Sequence, residues 1–133
     1  MTDLVFHHLG VACRDISKEA ESWFALGYDL EGLSFEDPHQ GITGQFLKGP
    51  GPCLELLQAL PGQTVLDAYL SKDIKLYHHG YQTDNLELSI EKYKINRAKL
   101  VSPPFPSVAF EGRRIAFLLF PNMHLVELIE MDK

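Results

Sequence analysis

Read for the period of its apolar positions, the chain alternates between short β-type runs and helical spacings. Val5 to Ala12 is an apolar run with β-branched residues that ends at Arg14-Asp15; it is too short for a helix and reads as a buried strand. After Asp15, a residue suited to an N-cap, Ile16, Ala20, Trp23 and Phe24 fall on one side of a helix, and Gly27 supplies the stop. Leu30 to Phe35, Ile42 to Leu47 and Cys53 to Leu57 then read as strands, set apart by the breaker clusters Glu36 to Gly41 and Gly49-Pro50-Gly51-Pro52. The order predicted for this half is βαβββ.

Pro61 to Asp73 reads as a connector with a short helix at Val65 to Leu70, after which the pattern begins again. Leu76 to Thr83 is a strand ended by Asp84-Asn85, and Leu86, Ile90 and Tyr93 keep helical spacing to about Lys99. Pro103-Pro104-Phe105-Pro106 is expected to forbid regular structure, and Val108 to Phe110, Arg113 to Phe120 and His124 to Ile129 supply three more strands. The second half is βαβββ as well. Residues match along with elements: aligning Asp15-Ile16 with Asn85-Leu86 superposes His8 on His78, Gly10 on Gly80 and Trp23 on Tyr93. At the far end of each half Leu54-Glu55-Leu56-Leu57 matches Val126-Glu127-Leu128-Ile129, and Phe46 falls on Leu118. The chain therefore reads as an internal duplication.

Composition narrows the class without changing this picture. With 133 residues, 45% hydrophobic and 23% charged, the chain suits one soluble domain, residues 1–133, with module one at about 1–60, a connector at about 61–75 and module two at about 76–133. No apolar run approaches the roughly 20 residues of a membrane span, and the first residues lack a basic n-region followed by an apolar h-region, so a cytoplasmic location is expected. Cys13 and Cys53 are too few for a disulfide scaffold and are expected as reduced thiols. A net charge of −6 with scattered basic residues leaves no footprint for nucleic acid.

Candidate chemistry comes from strand parity. Each half has a histidine on its opening strand and a glutamate on its closing strand, both set in apolar sequence, and a buried carboxylate needs a partner. Period two puts His8, Gly10 and Ala12 on one face and His7, Leu9 and Val11 on the other; likewise His78, Gly80 and Gln82 oppose His79, Tyr81 and Thr83. The faces with small or polar neighbours suit a cavity. His8, Glu55, His78 and Glu127 then form a nitrogen and oxygen set for a divalent transition metal. The bland alternative is core histidines and glutamates satisfied by ordinary hydrogen bonds. His39 and His124 are expected in solvated loops, Cys53 as a small buried hydrophobe, and Trp23 and Tyr93 as helix residues packed on the sheet.

These segments resemble the vicinal oxygen chelate superfamily, which includes glyoxalase I, methylmalonyl-CoA epimerase, extradiol dioxygenases, and fosfomycin and bleomycin resistance proteins. HHLGVACRDI resembles the opening segment of epimerase-like members, CLELLQAL the fourth strand, YHHGYQTDNL the second opening strand, FEGRRIAFL a segment before the last hairpin, and LVELIE the closing strand. The resemblance implies an α+β fold of two tandem βαβββ modules in a curved, partly open mixed β-barrel with helices outside. It also implies metal ligands His8, Glu55, His78 and Glu127 around one divalent ion (Ni, Co, Zn, Mn or Fe), and a homodimer.

The activity implied is proton abstraction next to a carbonyl through a metal-stabilised enediolate, as in an epimerase-like isomerase or a glyoxalase I-like lyase. Glu127 is the candidate base and Glu55 its counterpart, with an acyl-CoA thioester or a glutathione hemithioacetal as substrate. Some epimerases carry a second acid on the strand that here reads GITGQFL; this chain has Gly44 beside Gln45. Gln45, Arg113 and Arg114 are candidate substrate contacts, with solvated strand residues the alternative for the two arginines. From a different class, a metal-free binding protein of the bleomycin-resistance type would use the same barrel as a hydrophobic trap. Extradiol dioxygenase chemistry is disfavoured by Glu55 and by chain length, and fosfomycin-type transferases typically lack an acid at the position of Glu55.

Overall fold

The computed structural model describes residues 4–132, and in them each half keeps the predicted order. The elements are β1 (Val5–Ala12), α1 (Ile16–Ala25), β2 (Asp29–Asp37), β3 (Ile42–Lys48), β4 (Leu54–Ala59), α2 (Asp67–Leu70), β5 (Leu76–Thr83), α3 (Leu86–Ile95), β6 (Lys99–Pro106), a 3-10 turn (Val108–Phe110), β7 (Arg114–Leu119) and β8 (Leu125–Glu130). The strands are ordered β2-β3-β4-β1 in the first half and β5-β8-β7-β6 in the second, with β2 and β6 at edges. The fold is α+β. Residues 8–77 form one compact unit, and residues 4–7 with 78–132 form a second. Among the described residues no helix is long and apolar enough to cross a membrane.

In the unit of residues 8–77, β1 runs parallel to β4, and β3 lies antiparallel to both β4 and β2. Helix α1 begins where the Asp15 carboxylate accepts the Lys18 amide at 3.1 Å, satisfying a donor the helix itself leaves unpaired. It ends before Gly27, whose φ of +102° a residue with a Cβ would adopt only under strain. Ala20, with Ile16 and Trp23, packs onto Val11, Leu47, Leu54 and Leu56. Burying each such leucine contributes roughly 2 kcal/mol. The face of the sheet away from α1 carries a smaller apolar cluster of Ala12, Ile42, Leu57 and Leu66.

The second unit repeats this scheme. β5 is parallel to β8, and β7 is antiparallel to β8 and β6. Asn85 caps α3 by accepting the Leu88 amide at 3.0 Å. Leu86 and Ile90, with Tyr93, pack onto Ala116, Leu118, Val126 and Leu128.

Three expectations are corrected here. The helix expected to reach about Lys99 ends at Ile95, because Asn96 leaves helical geometry and Arg97 takes a positive φ of 71°. The proline stretch is a strand: β6 is an edge, and its register slips between Ser102 and Phe105, so Pro103 and Pro104 fall where no ladder bond is required of them. Val108 to Phe110 is a 3-10 turn, closed by left-handed Glu111 and Gly112, which return the chain into β7.

Candidate metal site

The site residues follow from parity and register. On β1, Leu9, Val11 and Cys13 turn toward α1, so His8, Gly10 and Ala12 occupy the other face. The parallel ladder sets Gly10 beside Glu55, and the antiparallel ladder sets Phe46 opposite Glu55. His8 Nε2 consequently lies 3.0 Å from Glu55 Oε1, with side chains 0% and 6% exposed. The Phe46 ring meets His8 edge-on, its centroid 5.7 Å away.

The second unit builds the same arrangement. Gly80 is beside Glu127 and Phe117 is opposite it. His78 Nε2 lies 3.2 Å from Glu127 Oε1, both side chains at most 2% exposed, and Phe117 meets His78 edge-on at 5.6 Å. The counterpart of Phe46 is therefore Phe117, where residue matching expects Leu118. Leu118 stands opposite Val126 and points into the α3 core. The alignment at this strand is shifted by one residue, which parity in an isolated apolar run does not reveal.

Both pairs fit a metal. Two donors bound at roughly 2.1 Å and right angles stand about 3 Å apart, close to the spacing of each imidazole nitrogen and its carboxylate oxygen. Nitrogen and carboxylate oxygen without thiolate suit first-row divalent ions over soft ones. A histidine and glutamate group able to hold a metal ion is thus present in each unit.

The other members of the doubled histidines are engaged elsewhere. The His7 ring meets the buried Phe110 edge-on at 5.3 Å. His79 Nδ1 shares a hydrogen bond of 2.7 Å with His124 Nε2. His124, expected in a solvated loop, is half-buried by this contact, whereas His39 is exposed.

The structure does not bring Gln45 to the Glu55 face. It shares the α1 side of β3 with Leu47, and its amide nitrogen donates toward the carbonyls of Glu31, Gly32 and Phe46, closing the β2 bulge. Gly44 is on the Glu55 face, and a Cβ there would sit 2.3 Å from the Phe35 ring. Phe35 fills the space that a side chain at position 44 would occupy. Arg114 donates to Glu130 and Glu87, with Nη2 at 2.7 Å and 2.5 Å from their oxygens. Those bonds push its own pKa up, and the guanidinium holds the Glu87 carboxyl below its ordinary value. Arg113 instead donates to Gln82 Oε1 at 3.1 Å and to the carbonyls of Glu130 and Phe110. Cys53 is half-buried, and burial, reinforced by Glu31, pushes its thiol up to about 12, so it is protonated at neutral pH. Phe46, Phe117 and Gln82 were not singled out as site residues by sequence; the two phenylalanines are found by their place opposite the glutamates, Gln82 by its parity with His78.

A family model described as Glyoxalase/Bleomycin resistance protein/Dioxygenase superfamily matches residues 7–117. Comparison with curated proteins returns no match. Among solved structures, a hypothetical protein from Bacillus halodurans is similar with a TM-score of 0.82 at 23% identity, over 98% of this chain and 96% of that one. Methylmalonyl-CoA epimerase from Mycobacterium tuberculosis is similar with a TM-score of 0.79 at 23% identity, over 96% and 88%. A Streptomyces coelicolor methylmalonyl-CoA epimerase in complex with 2-nitronate-propionyl-CoA has a TM-score of 0.78 at 21% identity, over 96% and 97%. At these identities the likeness is one of fold.

Proposed function

The chain belongs to the Glyoxalase/Bleomycin resistance protein/Dioxygenase superfamily, and from that premise we propose that it is a metal-dependent enzyme that abstracts a proton next to a carbonyl. Its reaction is that of an isomerase of the methylmalonyl-CoA epimerase type or a lyase of the glyoxalase I type. The observation that carries this reading is the doubled pair: each unit sets a buried imidazole nitrogen beside a buried carboxylate oxygen, His8 by Glu55 at 3.0 Å and His78 by Glu127 at 3.2 Å. Nitrogen and carboxylate donors of this kind would hold one divalent ion such as Ni, Co, Zn, Mn or Fe.

When bound, such an ion supplies Lewis-acid stabilisation, worth several kcal/mol, to negative charge developing on a carbonyl oxygen. The rest falls to the protein. Glu127, buried in an apolar strand beside His78, is the candidate base that would take the proton from the carbon next to the carbonyl. Glu55 is its counterpart in the other module. Phe46 and Phe117 wall the histidines with apolar edges and keep water from the proton in transit. With Phe35 over Gly44, proton handling rests on the two glutamates and not on an acid at position 44.

The test is turnover of metal-loaded protein with methylmalonyl-CoA and, separately, with the hemithioacetal of methylglyoxal and glutathione. Turnover of one of them, lost to a chelator and restored by metal, is expected. Metal-bound protein that turns over neither overturns the reading, and metal-free protein that binds a hydrophobic drug replaces it with a trap of the bleomycin-resistance type.

A further inference from the structure

Arg113 and Arg114 are adjacent in sequence but have opposite electrostatic situations. Arg114 is neutralised by Glu130 and Glu87. Arg113 is half-buried and, among the described residues, has no carboxylate within ion-pair distance. Its Nε donates to the Phe110 carbonyl at 3.4 Å, and its Nη1 donates to Gln82 Oε1 at 3.1 Å and to the Glu130 carbonyl at 3.2 Å. The guanidinium carbon lies 5.5 Å from the centroid of the Phe110 ring. Neutral acceptors thus fix the plane of the cation without cancelling its charge, and Nη2 makes no bond within the described residues. A partly desolvated guanidinium held in this way is preorganised for an oxyanion.

Parity gives its direction. Gln82 shares the His78 face of β5, and Arg113 continues the Phe117 face into β7. Gln82 lies four residue steps beyond His78, roughly 13 Å along β5. We propose that Arg113, positioned by Gln82 and Phe110, anchors an oxyanion on the carrier part of the substrate, remote from the carbon that loses the proton. This deepens the proposed function and rests on it for the two carriers: a phosphate of coenzyme A or a carboxylate of glutathione offers the same chemistry.

The experiment is calorimetric titration of the purified protein with coenzyme A and with glutathione, neither of which needs turnover. The wild type is expected to bind one of the two. Arg113→Met is expected to weaken that binding at least tenfold, Arg113→Lys to recover part of it, and Arg114→Met to change it less than threefold. Gln82→Leu is expected to raise KM for the corresponding substrate while kcat stays within twofold, as fits a positioning residue. Metal content and thermal unfolding of each variant establish that site and fold persist. Wild type that binds neither carrier, or Arg113→Met and Arg113→Lys that bind as tightly as wild type, overturns the anchor. Loss of metal or turnover in the wild type with the Arg113-dependent binding intact overturns the proposed reaction and leaves the anchor standing.

Discussion

The two modules agree at their centres and part company at their ends. His8 with Glu55 and His78 with Glu127 have matching spacing, matching phenylalanine walls and matching ladder partners. Further along the same face, module one continues into Ala12 and Ile42 of an apolar cluster, and module two continues into Gln82 and Arg113. A second divergence lies behind each helix. Tyr28 packs edge-on against Trp23 at 5.5 Å, over a Gly49 whose Cβ would meet its ring at 2.6 Å. In module two Ala98 follows the helix, and Phe120, at the strand position matching Gly49, packs against Tyr93 at 5.6 Å. One aromatic fills the place in either case, delivered from a different strand end. Packing volume and paired donors constrain the duplicate; which residue supplies the volume, and what lies beyond the donors, do not have to match.

Breaking the equivalence of the glutamates should give the largest effect. Glu127→Gln is expected to lower kcat by about 10²–10⁴, or roughly 3–5 kcal/mol, with metal retained, and Glu55→Gln to lower it less. Steady-state kinetics on metal-assayed protein checks this; full turnover by metal-loaded Glu127→Gln removes it from the role of base. Next in size is the swap behind the helices. Tyr28→Ala is expected to cost about 3 kcal/mol or more in urea unfolding, since it empties a buried ring site and loses the hydroxyl's bond to the Pro52 carbonyl. Adding Gly49→Phe, which copies module two, should destabilise further, because a Cβ at position 49 would still stand 2.9 Å from the backbone of residue 28; recovery by the second change would mean that the two solutions are interchangeable.

The smallest effect belongs to Arg114 and Glu87. Because Arg114 lowers the folded-state pKa of Glu87, the pair's contribution is present above the unfolded value near 4.5 and is lost as pH falls through the lower folded value. Glu87 is an exposed side chain, so solvent screens most of this. Thermal unfolding should find Glu87→Gln slightly less stable than wild type at pH 7, with the difference vanishing as pH falls below 4.5; a difference that grows on acidification contradicts this coupling.

The order of elements and the residues of the paired site could be read from sequence because both depend on period. Apolar spacing fixes helix or strand, and alternation along β1 and β5 separates His8 from His7 and His78 from His79. What could not be read depends on partners distant in sequence. Pro103 and Pro104 sit in a strand only because β6 is an edge with a register slip. Gln45 lies on the α1 face because the ladder sets its neighbour Phe46 opposite Glu55, and carbonyls at the β2 bulge take up its amide. The contrast between Arg113 and Arg114 needs Gln82, Glu87 and Glu130, none of which is adjacent in sequence. Phe117 replaces Leu118 in the match because ladder register, not similarity of residue type, decides which side chain faces Glu127.

One histidine of each doubled pair, with the glutamate of its own module, is proposed to hold a single divalent ion. Metal analysis of purified wild type and four variants tests it most directly. About one ion per chain is expected in wild type, His7→Ala and His79→Ala, with loss of the ion in His8→Ala and His78→Ala. Retention in His8→Ala and His78→Ala with loss in His7→Ala and His79→Ala would contradict it.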